Sequence, residues 1–408
     1  MSLNRIHRDP ESSASPLPWV PALLVVTLAA VGCSLGTHTE RSSRAVPIKK
    51  SAAVETTEDP TEPVLVRAAE QPATTVRPIN DRPRVREENP SRIPPPPSQP
   101  PEVEAIEILR AAARTDWPLL RANALEAISY DRKALEAMVM ASLNDENRGV
   151  RFVATMLVGR EKLCDVGPLI ETMLEDPSDS VRAAAIYALS ACGDTVNPTP
   201  LAEMVASSNP EVRANAYVVL GLLGEASAIP LIRSGLGDGL GLVDPVRVRL
   251  VDLQGAAALV RLGDEREIEP IRAALFAPTE QAELTALAIQ LVRQLHDEGA
   301  RQMLVRLVEA PMRESRPPEI RLAAAEAIAV LGAREPAPLI RLANEYIENP
   351  RSEIRAQVAS LLGEVNDATA RALLSDLMRD PDPIVRVAAA GSTLKLGVDE
   401  RTATASVH

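Results

Sequence analysis

The chain has 408 residues, long enough for several ordinary domains or one long repetitive array. Apolar residues make up 46% but aromatic ones only 2%, which rules out a core built on large rings and leaves aliphatic side chains and alanine to fill closely stacked helices. The net charge of −12 has one location: residues 1–103 hold 12 Lys and Arg against 12 Asp and Glu, and the remainder holds 32 against 44, so the surface repels phosphate backbones and nucleic acid is a poor partner.

Residues 17–33 read LPWVPALLVVTLAAVGC and follow Arg5, His7 and Arg8. A membrane-spanning helix needs about 20 apolar residues, and this run is shorter and carries Pro18 and Pro21, so it reads as the hydrophobic core of a signal peptide. Its end, AVGC, resembles the lipobox of bacterial lipoproteins, with Ala30 where the commonest pattern has Leu. That resemblance implies acylation of Cys33, a lipid anchor and a place in the bacterial cell envelope. Secretory cleavage after Gly32 and an uncleaved anchor also fit the segment.

From residue 34 to 103 the sequence turns polar and proline-rich, with thirteen prolines between Thr37 and Pro101 and the run RIPPPPSQPP at 92–101. No apolar periodicity appears there, so the segment cannot bury enough surface to offset the entropy of ordering. It is expected to be a disordered tether, spanning about 45 Å as a flexible coil and up to about 200 Å as polyproline. A PxxP ligand is the other role such a composition supports.

Beyond residue 104 one phrase recurs. With Arg182 of SDSVRAAAIYALSACG as position zero, the same frame fits at Arg121, Arg151, Arg213, Arg321, Arg355 and Arg386, and without the arginine at Asp252 and Thr285. The nine zero positions are 30 to 39 residues apart, the period of stacked repeats. Apolar or small residues fall at −1, +3, +6 or +7 and +10, a helical spacing, and a shorter helical stretch precedes each one. Each unit is therefore a pair of antiparallel helices. Acidic residues and proline in the turns (Asp176-Pro177, Asn209-Pro210, Asp380-Pro381) start the second helix, and Gly193, Gly224, Gly263, Gly332, Gly397 and Asn366 stand where a left-handed residue ends it. A single pair cannot cover both its apolar sides, so units must stack. The expectation is an all-α solenoid of about nine repeats over residues 104–400, drawn out as an arc, with a flexible tail at 401–408.

The phrase DPSDSVRAAAIYALSACG resembles the HEAT repeat, in particular the short form of the phycobilisome-lyase HEAT-like proteins. The resemblance implies that the recurring arginine pairs with a neighbouring aspartate in a ladder. That role falls to Arg151, Arg182, Arg213, Arg321, Arg355 and Arg386, with Asp176, Asp244 and Asp380 as acids. It also implies a scaffold, adaptor or, in a few members, a lyase.

Departures from the repeat locate candidate specialisation. The 39-residue interval contains SGLGDGLGLVDP at 234–245; no strand precedes it and no lysine follows, so it is expected to be a mobile insertion, not a phosphate cradle. The next two units lack the arginine, predicting a softer joint over 235–300, and MRESRPPE at 312–319 is a second enlarged connection. Opposite the core stripe, offsets +1, +4, +5 and +8 gather Phe152, Met156, Ile186, Tyr187, Tyr217 and Val218 in units two to four. This is the candidate partner-binding face on the concave side, unless the same residues are buried between adjacent helices.

Chemistry is sparse. His7, His38, His296 and His408 are the only histidines, and His296 occupies a helix-ending position, so it is expected as a terminator and not a base. There is no CxxC and no Cys/His cluster, so no metal and no cofactor are expected. Cys164 and Cys192 sit at unlike offsets, +13 and +10, in adjacent units; stacked units separate equivalent atoms by more than a disulfide spans, which argues against a bridge. The function expected is a non-enzymatic, envelope-anchored scaffold that binds a protein partner. A bilin-lyase-like enzyme and a purely structural spacer are the alternatives.

Overall fold

The structure is a computed structural model and describes residues 99–405 apart from 238–239, 242, 310–315 and 333–334. The described residues form eighteen α-helices in nine consecutive pairs. The first helices of the pairs are α1 (Pro101–Ala112), α3 (Arg132–Ser142), α5 (Gly167–Met173), α7 (Pro200–Val205), α9 (Ile229–Gly235), α11 (Ile268–Ala274), α13 (Arg301–Glu309), α15 (Pro336–Tyr346) and α17 (Ala368–Leu377). The second helices are α2 (Pro118–Ala127), α4 (Arg148–Arg160), α6 (Asp179–Ala191), α8 (Pro210–Leu223), α10 (Pro245–Arg261), α12 (Ala282–Gln294), α14 (Pro318–Val330), α16 (Ser352–Leu362) and α18 (Pro383–Ala405).

Local chemistry sets the helix ends. Proline at the first turn of α2, α8, α10 and α14 loses no hydrogen bond, and Asn147, Asn209 and Asp244 cap their helices by accepting from Gly149, Glu211 and Val246 N–H. Gly193, Gly224, Gly263 and Gly332 adopt positive φ as the sequence predicts, and His296 joins them at 51°. Lys162, at 50°, is a terminator that the sequence does not announce. Gly397 is a correction: it lies within α18, which runs on to Ala405, past the expected end of the array at 400. Asn366 shows no positive φ either.

The second helices form a continuous inner layer in which each packs on the next, from α2 to α18, and the first helices cover them from one side. Alanine makes the approach possible: Ala183, Ala184, Ala185 and Ala188 of α6, or Ala256, Ala257 and Ala258 of α10, are fully or almost fully buried. At Gly221 a Cβ would stand 2.8 Å from the Ala258 backbone, so that seam requires glycine. The seam of α10 with α12 is the thinnest in the inner layer, in the region where the arginine is lost.

The array does not end in two free edges. Helix α18 packs against both α1 and α2, so the ninth unit meets the first and the repeats close into a ring. This corrects the open arc. Gly391 of α18 lies where a Cβ would be 2.8 Å from Ala127 Cβ of α2, and Arg379 reaches Glu104 of α1 at 3.6 Å. Closure gives the terminal units the same neighbours as the others, which an open solenoid supplies with polar caps.

Cys164 and Cys192 form a disulfide, with Cα atoms 5.4 Å apart. The physical reason it forms is the difference in offset: Cys164 opens the short 3₁₀ turn (Cys164–Val166) after α4, which brings it to Cys192 at the end of α6. Part of the glycine-rich stretch is also held down. Gly237 N–H donates to Asp252 Oδ1 at 3.0 Å, Leu240 is buried, and Arg213 Nη1 donates to the Gly235 carbonyl at 3.0 Å. Cys33, the signal-like run and residues 34–98 of the tether lie outside the described residues; its last residues are a correction, since Pro101, Glu102 and Val103 belong to α1, whose first turn tolerates proline.

Candidate functional site

The arginines at position zero stand at the N-terminal end of the inner helices. Arg121, Arg151 and Arg355 each grip the aspartate of the following turn through Nε and Nη2: Asp145 at 2.8 and 2.7 Å, Asp176 at 2.7 and 3.0 Å, Asp380 at 2.8 and 2.8 Å. Each also donates Nη1 to a carbonyl six residues back in its own turn, so one side chain ties two units together. In return Asp145, Asp176 and Asp380 accept backbone N–H groups of their own turns.

The ladder has gaps. Arg182 pairs with Asp179 in its own helix and with the Asp176 carbonyl, because the next turn carries Ser207 where an acid is needed. Arg213 bonds the carbonyls of Ser207 and Gly235, Arg321 pairs with Glu345 and Tyr346, and Arg386 bonds the carbonyls of Asp380 and Pro381. Asp244 caps α10 and serves no arginine of the ladder.

A second ladder, not foreseen from the sequence, runs along the opposite end of the inner helices. Arg160 Nη2 meets Glu126 Oε2 at 2.8 Å, Arg261 Nη2 meets Gln294 Oε1 at 2.9 Å, Arg293 pairs with Glu326, and Lys395 pairs with Glu364. Burial opposes the charge of Arg160, yet Glu126 and Glu161 hold its pKa above the usual value. Burial pushes Arg261 down to about 10 and Glu326 up. Signals for this ladder were present at offset +9, which carries Tyr130, Arg160, Arg261, Gln294, Glu364 and Lys395 in six of nine units.

The proposed aromatic face is corrected by the structure. Phe152, Met156, Ile186, Tyr187 and Tyr217 are 3, 7, 3, 8 and 0% exposed, and Val218 is half-buried. These side chains fill the inner layer and do not line an open groove. Tyr187 lies over Gly159 of the preceding helix, and Tyr217 fits between Gly235 and Gly255. Burial raises the pKa of both phenols, that of Tyr217 to about 12.

Where the inner helices carry small residues, space remains. A cavity of about 450 Å³ lies between α2, α16 and α18, the three helices at the ring's closure, and is lined by Ala356, Val387, Ala388 and Gly391 among others. At offset +5 of this stripe Gly391 replaces the Met156 and Tyr187 that fill it in units two and three. Trp117, 42% exposed, stands at the N-terminal ends of these helices, and Glu126, Tyr130, Glu364 and Lys395 stand at the other end.

Large apolar side chains reach solvent on the outer layer: Val103 on α1, Met140 on α3 and Leu169 on α5, with Phe276 after α11. Among the described residues no three His, Cys, Asp or Glu side chains gather as a metal site, and no helix is long and apolar enough to cross a membrane.

Comparison with protein families agrees with the helix pairs: the model of HEAT repeats matches residues 166–247 and 339–405. Over those two stretches the chain is similar to HEAT repeats. No curated protein matches this chain. Among solved structures, human deoxyhypusine hydroxylase in complex with glycerol is similar at 16% identity, with a TM-score of 0.31, over 73% of this chain and 97% of that one.

Proposed function

We propose that this HEAT-repeat protein is a non-enzymatic scaffold of the bacterial cell envelope. It is anchored by a lipid on Cys33 and holds a protein partner on the curved outer face of its ring. One observation carries the partner surface: Val103, Met140 and Leu169 place one exposed apolar side chain on the outer helix of each of the first three units. Isolated apolar residues at a surface are ordinary; what supports the reading is that three successive outer helices each present one. The Cys164–Cys192 disulfide supports export, because such bonds persist in oxidising compartments.

The proposal is tested by crosslinking in the native envelope with the wild type and with Met140→Glu/Leu169→Glu. Loss of a specific crosslinked protein from the folded variant supports the surface, and unchanged capture rejects it. Cys33→Ser separates the anchor from the scaffold: release from membranes is expected, and retention rejects acylation as the anchor.

A further inference from the structure

We propose that the cavity between α2, α16 and α18 is a binding site for a small amphipathic amine: one protonated nitrogen on an apolar body. Its size falls in the range of about 300–1,000 Å³ usual for small-molecule sites. Its walls are largely apolar, built from Leu119, Ala356, Ile384, Val387 and Ala388.

Unused hydrogen-bonding groups decide the polar end. Glu126 is 6% exposed; its Oε2 is taken by Arg160, but its Oε1 has no partner although it is buried. Gln357 Oε1 and Tyr130 OH, on the same lining, are also buried without partners. A carboxylate oxygen and an amide oxygen can only accept, so the ligand must donate. Buried acceptors without donors are costly, and a ligand N–H group removes that cost.

Charge selects a cation among donors. Glu126, Glu353, Glu364 and Asp382 line the cavity; Arg160 balances Glu126 and Lys395 balances Glu364, so Glu353 and Asp382 leave the lining net negative. The helices add to this: Glu126 lies in the last turn of α2 and Glu364 just past the end of α16, at the negative ends of both dipoles. At the N-terminal ends of the three helices Trp117 offers an aromatic surface to the apolar body or to a second cationic centre. The inference is independent of the outer surface assigned to a protein partner, since the ligand enters the inner layer.

Calorimetric titration of the full chain with n-octylammonium, n-octanol and octanoate tests it. Octylammonium is expected to bind at one site, at least tenfold more tightly than octanoate, with octanol between them. Glu126→Gln is expected to weaken octylammonium binding at least tenfold, and Ala388→Phe, which fills the cavity from α18 without touching the ion pairs, to abolish it. Absence of octylammonium binding, equal binding of octanoate, or unchanged affinity in folded Ala388→Phe overturns the site. Should Glu126→Gln fail to fold because Arg160 loses one of its two carboxylate partners, Ala388→Phe and the three-probe ranking decide.

Discussion

Arg151 and Arg182 occupy the same position in consecutive units, yet their surroundings give them different weight. Arg151 and Asp176 are 14% and 5% exposed, joined by two parallel bonds, so Arg151→Ala strands a buried carboxylate and is expected to cost about 3–5 kcal/mol in chemical unfolding. Arg182 and Asp179 are 33% and 44% exposed, and Arg182→Ala is expected to lose no more than about 1 kcal/mol. Equal losses for the two would refute the distinction. Tyr217 carries a buried hydroxyl without a partner, so Tyr217→Phe is expected to leave the thermal midpoint unchanged or raise it, since packing on Gly235 and Gly255 is kept. The same burial sets a pH dependence. The folded phenol titrates at about 12, above the ordinary 10.0, so the native state holds the proton longer than the unfolded chain. Its contribution is complete below pH 10 and disappears as the pH rises through 12, a loss that Tyr217→Phe should remove.

At the scale of elements, the helix pairs and their stops were legible because they depend on neighbours within a few residues. Proline at the first turn, Asn or Asp at the cap, and glycine or His296 at the end are local signals, and the structure follows them. The disulfide was not legible. Offsets +13 and +10 placed the two cysteines in adjacent units, but only the 3₁₀ turn (Cys164–Val166) brings their Cα atoms to 5.4 Å. Closing a span of 28 residues, the bridge is expected to contribute about 3–4 kcal/mol. Cys164→Ser/Cys192→Ser should lower stability by that amount and raise amide exchange first in α4 to α6; uniform exchange along the chain would contradict a local staple. The aromatic face failed for a related reason. Offset patterns tell which residues share a helix face, not whether a glycine on the next helix, such as Gly159 beneath Tyr187, receives the side chain.

For the whole molecule, closure is the feature that separates a ring from an arc. Gly391→Val places a branched side chain where a Cβ is already 2.8 Å from Ala127, and is expected to cost about 1–3 kcal/mol by prying the first and last units apart. Small-angle scattering should then show a larger radius of gyration than the wild type. A Glu104→Cys/Arg379→Cys pair should be joined by a short bismaleimide within one molecule, as the native side chains lie 3.6 Å apart; a failure to crosslink would argue for an open array.

By itself the sequence determined that the chain after the proline-rich segment is a row of helical pairs with an aliphatic and alanine core, and it placed most of their boundaries. Periodicity, caps and terminators act over distances of a few residues, so a linear pattern contains them. Tertiary structure decided which residues are free to act. Whether unit nine meets unit one depends on small rotations accumulated over eight seams. That meeting leaves the space beside Gly391 and puts Glu126 on its lining, while packing on Gly159 buries Tyr187, outcomes that no stretch of sequence carries alone.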